Sequence, residues 1–127
     1  MKLNPKGGEV LPKATYVSQV VGAQTVIKKD ASENWILFLQ PKGTTVKVRQ
    51  YITEKMDWML TQIEAAFFPK DYAAGKVLDA KAEDLMELWC LIEVDVAPGD
   101  PNYQEPPEKN VIKKFLPLPP GTKTEDI

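Results

Sequence analysis

The stretch from Trp35 to Phe68, WILFLQPKGTTVKVRQYITEKMDWMLTQIEAAFF, changes its hydrophobic period midway, from that of a strand to that of a helix. At its centre, Thr44–Tyr51 (TTVKVRQY) alternates with a period of two. Val46 and Val48 point one way, and Lys47, Arg49 and Tyr51 the other, which predicts a half-buried strand with one wet face. The preceding Trp35–Gln40 (WILFLQ) is an apolar run of strand length, and Pro41-Lys42-Gly43 between the two is a tight turn signal. The two strands therefore read as a hairpin. Beyond Tyr51 the period changes. Met56, Met59, Leu60, Ile63 and Phe67 recur at spacings of three and four, which predicts a helix from about Glu54 to Phe68. Thr53 suits its N-cap, Glu54 its first turn, and Pro69 stops it.

Working outward, Ala14–Lys29 is rich in Val, Thr, Tyr and Ile and predicts a long first strand. Gly22 in its middle signals a bulge or sharp bend. Lys28 to Asn34 reads as a polar loop. On the other side of the helix, Lys70–Asp79 reads as a loop and Lys81–Leu85 as a short helical turn. Leu88–Val96 (LWCLIEVDV) predicts a fourth strand, and Asn110–Leu116 (NVIKKFL) a fifth. Ala97–Glu108, with four prolines, is a long surface loop of the kind that is usually functional or disordered.

The order is thus three strands, a helix and two strands. This is the layout of an OB-fold-like five-stranded barrel, mainly β, with its helix between strands 3 and 4. The bend glycine fits, because the first strand must serve both halves of such a barrel. The competing layout is an α+β sandwich with the helix on one face. Residues 1–13 read as a flexible lead-in, 14–117 as the OB-like domain and 118–127 as a Pro-rich mobile tail.

The chain has 127 residues, one domain's worth. It has no histidine and one cysteine, Cys90, which rules out a zinc site built from Cys and His and any catalytic base that is a histidine. Cys90 lies in an apolar strand and reads as buried and inert. Trp58 and Trp89 read as packing residues. No phosphate-cradling or nucleophile-elbow motif occurs, and no cofactor is implied, so the expectation is a protein that is not an enzyme. No leader or membrane span is visible, and the reading is a cytoplasmic protein.

The net charge of −2 conceals an asymmetry. Residues 1–55 carry nine basic and four acidic side chains, residues 56–108 three and twelve, and residues 109–127 four and two. Basic excess is the usual footprint of nucleic-acid binding, and here it sits at the two ends of the chain. In an OB barrel the binding face forms around strands 2 and 3, between the first hairpin loop and the loop joining strands 4 and 5. That geometry gathers Lys47, Arg49 and Tyr51 on one strand, Lys28, Lys29 and Trp35 at the rim, Tyr103 from the long loop and Lys113 from the last strand. Cations track phosphates and aromatic rings stack on bases. Each residue also has a plainer reading. The Lys and Arg of an alternating strand can be a solvated face. Trp35 opens an apolar run and suits the core. Lys113 and Lys114, as neighbours on a strand, are expected to face opposite ways. The carboxylates of residues 57–87 read as a solvated acidic face or as a docking surface for a basic protein.

The chain resembles phage-encoded single-stranded DNA-binding-like proteins of the OB fold. The resemblance rests on three places: Tyr16-Val17 with the Lys-rich loop and apolar strand that follow; Val46 through Leu60, where the charged strand ending in Tyr51 runs into Thr53-Glu54-Lys55 and a Trp58-bearing helix; and Tyr103-Gln104 through Asn110 to Pro117. Lys81-Ala82-Glu83-Asp84-Leu85 is similar to the family's short helix before strand 4. A Gly-Lys pair after Asp84-Leu85 is replaced here by Met86-Glu87. The resemblance implies sequence-tolerant single-stranded DNA binding in phage DNA replication or recombination. Replication or recombination proteins would be further partners, no membrane is involved, and a homo-oligomer is compatible. The alternative is an acidic protein-interaction module, such as a phage inhibitor of a host DNA-processing protein.

Overall fold

The computed structural model describes residues 10–103, 105 and 107–127. Five strands form one antiparallel sheet: β1 (Ala14–Ile27), β2 (Glu33–Pro41), β3 (Val48–Thr53), β4 (Trp89–Pro98) and β5 (Glu108–Leu116). Their order is β3-β2-β1-β4-β5. The outermost strands, β3 and β5, come into contact and nearly close the sheet into a barrel. The main helix, α1 (Asp57–Phe67), lies between β3 and β4 in the chain. This is an OB-fold-like architecture.

β1 belongs to both halves of the barrel. Ala14–Gln19 pairs with β4, and the stretch from Ser18 to Ile27 pairs with β2. Between Val20 and Gly22 the register slips by one residue, leaving Val21 as the extra residue of a bulge. A bulge bends a strand and increases its twist, which is what a strand shared by two half-sheets requires. It also resets which side chains face inward. Ser18 and Val20 are buried before it, and Ala23 packs on the core after it.

The inward faces meet in one core. Val20, Leu37, Leu39, Val48 and Ile52 come from the first three strands, and Cys90, Ile92, Val94, Ile112 and Phe115 from the last two. α1 covers one end of the barrel with Met59, Ile63 and Ala66. Its Gln62 Oε1 accepts the Phe115 N–H at 3.1 Å, and the Phe67 and Phe115 rings sit 6.3 Å apart. Each large aliphatic side chain buried this way contributes about 1.5–3 kcal/mol. Cys90 is part of the core, and burial pushes its thiol up to about pKa 12, so it is inert as a nucleophile.

α1 begins later than its sequence pattern suggests. Thr53 ends β3 instead of capping the helix, and the chain turns through Met56 N–H to the Thr53 carbonyl (3.0 Å) before Asp57 opens α1. Pro69 stops α1 as expected and then starts a short second helix, α2 (Pro69–Ala73), within the expected loop. β3 also starts later than expected, at Val48, although Val46 already packs on the core. Trp58 is not a packing residue: it faces solvent on α1 with 56% of its surface exposed.

Of the expected lead-in, residues 1–9 lie outside the described residues. Leu11 is buried, and the Asn110 side chain engages both its N–H and its carbonyl at 2.9 Å, so this part of the lead-in is tied to β5. At the other end, Thr122 N–H bonds the Pro119 carbonyl, and Thr124–Asp126 form a short 3-10 turn. Among the described residues, no helix is long and apolar enough to cross a membrane.

The short helical turn before β4, Ala82–Leu85, is anchored to β1 by Glu83. Its carboxylate accepts the Thr25 hydroxyl (2.7 Å) and the Thr25 N–H (2.8 Å). Those bonds favour the charged form and hold the carboxyl below its ordinary value of 4.5. A lowered folded pKa stabilises above the ordinary value and is lost as pH falls through the folded one. Glu83→Gln should therefore melt below the wild type at about pH 7, with the gap closing as pH falls below the ordinary value of 4.5. A melting series across that range checks it; a constant gap would contradict the carboxylate's role.

Candidate nucleic-acid interface

The register of β2 fixes the outer face of the barrel. Leu37 and Leu39 point into the core, so Asn34, Ile36, Phe38 and Gln40 point out. On β3, Val48 and Ile52 point in, so Arg49 and Tyr51 point out. The pairing sets Phe38 opposite Arg49 and Ile36 opposite Tyr51. Phe38 and Ile36 are half-buried, while Tyr51 is 43% exposed. The result is an apolar and aromatic surface bordered by cations. Lys47 precedes β3 and is exposed. Lys28 and Lys29 stand at the β1–β2 turn.

Tyr51 is held from beneath. Asn34 is 2% exposed. The amide orientation that satisfies its neighbours has its oxygen accepting from the Tyr51 hydroxyl at 2.6 Å and from the Lys28 ammonium at 3.1 Å, while its NH2 donates to the Glu33 carbonyl at 3.1 Å. A buried amide with both ends occupied fixes what it holds. Here it couples the hairpin loop to the β3 tyrosine. The loop is itself braced. Asp30 accepts from the Ser32 hydroxyl (2.6 Å) and N–H (2.9 Å), and these bonds, with a smaller effect of Lys28, lower its carboxyl pKa.

The expected residues divide. Lys28 and Tyr51 are joined through Asn34, and Arg49 shares Tyr51's outer face. Lys29 and Lys47 flank them. Trp35 points the other way. It packs on the core beside Ile52, with its Nε1–H on Glu33 Oε1 at 2.9 Å, and lines a pocket against α1. Lys113 lies one strand further round, on β5 across the seam with β3. It does not oppose Lys114. Ile112 pairs with Val94 and Lys114 with Glu93, so Lys113 is the extra residue of a bulge and both lysines are exposed. The side chain of Tyr103 lies outside the described residues. Among the described residues, Lys28, Lys29, Lys47, Arg49, Lys113 and Lys114 form no ion pair, whereas Lys109 is held by Glu105 at 2.6 Å.

Three residues of this face were not legible as such. Ile36 and Phe38 sit in a run that is apolar on both sides, so only the hairpin register tells which of them face out. Asn34 reads as a turn former because nothing local marks it as buried. The acidic middle also divides: Glu83, though exposed, bonds Thr25 of β1, and Asp84 accepts the Lys81 N–H at 2.9 Å, while Glu87 is exposed.

A scan against protein-family models gives no match, and a search of the curated proteins gives none. The reading of this face therefore rests on its own chemistry.

Phe38 lies close against the strand beside it at Gly22. A Cβ at Gly22 would stand 3.0 Å from Phe38 Cδ2 and 3.3 Å from its Cβ. Gly22→Val should therefore cost about 1–3 kcal/mol by overpacking. Urea unfolding measures this; unchanged stability would show that Phe38 is not seated on the strand as described.

Proposed function

We propose that the chain binds single-stranded DNA without sequence preference across the outer face of β2 and β3. The observation that carries this is Tyr51, an exposed ring anchored by a buried asparagine, set among cations that form no ion pair among the described residues. Any base offers a face for stacking, and each stacked base contributes about 1–3 kcal/mol, so such a surface needs no code of hydrogen bonds. Phe38 and Ile36 extend the apolar ground next to the ring. Arg49, Lys47, Lys28 and Lys29 supply partners for phosphates on either side. The face of an OB barrel around strands 2 and 3 is also where oligonucleotides bind in other proteins of this architecture. The similarity to phage single-stranded DNA-binding-like proteins adds DNA replication or recombination as the setting, with Lys113 as a further phosphate contact. Recombinase, helicase or nuclease genes beside its own would agree with that setting.

Fluorescence anisotropy with a labelled oligo-dT at several salt concentrations tests the proposal. Affinity should fall steeply with salt, because each phosphate contact releases a counterion. Lys47→Ala with Arg49→Ala should flatten the log–log salt slope by about 1.4, at about 0.7 per contact on a single strand. Tyr51→Ala should weaken binding by about 1–3 kcal/mol, and Tyr51→Phe, which keeps the ring, by much less. No binding at low salt overturns the function. Normal binding by the double alanine variant overturns the site.

A further inference from the structure

A pocket of about 430 Å³ opens on the other side of β2, between α1, the end of the β2–β3 hairpin and the segment 78–80. Its size is that of a small-ligand site. Its floor is apolar: Trp35, Ile52, Leu60, Ile63, Phe68 and Leu85 line it. Its rim carries five carboxylates, Glu33, Glu54, Asp57, Glu64 and Asp79, and no lysine or arginine lines it. Two of the five are committed to the fold. Glu54 accepts the Glu33 N–H at 2.6 Å, and Glu33 accepts the Trp35 indole N–H. Asp57, Glu64 and Asp79 make no side-chain hydrogen bond or ion pair among the described residues.

We infer that this pocket seats a lysine side chain from a basic, apolar segment of a protein partner. Charge complementarity chooses the sign. Carboxylates crowded round a low-dielectric floor make a field that attracts a cation and repels a nucleic acid. Their arrangement chooses the kind of cation. Among the described residues, no three carboxylates converge as metal ligands, so the rim suits an ammonium group, and the apolar floor suits the aliphatic stem that carries it. The surroundings choose a polypeptide over a free polyamine. Leu78 lines the mouth, Val77 (98% exposed) precedes it, and Trp58 lies one turn before Thr61 of the wall. A free polyamine leaves that apolar surface bare, whereas a chain with apolar residues beside its lysine covers it.

The test uses the whole protein and a labelled decapeptide of alternating lysine and leucine. Binding should weaken with salt, and a lysine–serine peptide of equal charge should bind about tenfold less, because it cannot cover the apolar mouth. The triple variant Asp57→Asn, Glu64→Gln, Asp79→Asn should bind the peptide about tenfold less, because the rim loses three charges, while its affinity for oligo-dT is unchanged. Equal binding of both peptides, or of variant and wild type, overturns the inference. So does displacement of the peptide by an equal concentration of spermidine, which would make the ligand a free polyamine. So does loss of peptide binding on self-association, which would make the occupant a second copy.

Discussion

Everything in this barrel depends on one strand being bonded along both edges. β1 gives its first half to β4 and its second half to β2, and it must bend sharply to do so. The bulge at Val21 supplies the bend. It also exchanges the parity of the strand, so that inward positions follow the turning sheet on either side of it. Without that exchange, either Val20 or Ala23 would face water. With it, both halves close on one core, and β3 and β5 arrive beside each other. Gly22 completes the device, because the outer side of the bend is where Phe38 must pass close to the backbone.

The same closure separates charge. β2 presents opposite chemistry on its two sides. Its outward residues carry Phe38 and Ile36 into the cationic surface around Tyr51. Its inward side, at the Glu33–Trp35 end, faces α1 across an acid-rimmed pocket. A net charge of −2 thus describes neither face. On the β3 side, Lys28, Lys29, Lys47 and Arg49 form no ion pair among the described residues, while Asp57 and Glu64 of α1 line the pocket.

Much of the architecture was legible from periodicity alone. The alternation in Val46–Tyr51, the helical spacing from Met56 to Phe67 and the glycine in a long first strand are local signals with local causes, and each matches an element or a bulge. What periodicity leaves open is decided by tertiary pairing. Trp35 has the same local signature whether it faces groove or core, and only its place opposite Ile52 decides. Lys113 and Lys114 share one surface because of a bulge that no glycine announces. Thr53 has the chemistry of a cap, but pairing with Asn34 draws it into β3. Asn34 is buried because Tyr51 and Lys28 come over it from elsewhere in the chain.

On the proposed reading, single-stranded DNA lies on the β2–β3 outer face and avoids the acidic pocket. Amide shifts in a 15N-labelled sample titrated with oligo-dT test it most directly. Lys28, Lys29, Ile36, Phe38, Arg49 and Tyr51 should move together with saturable dependence on oligonucleotide, while Asp57, Thr61, Glu64 and Asp79 stay in place. Shifts confined to the α1 pocket, or none at saturating oligonucleotide, would contradict it.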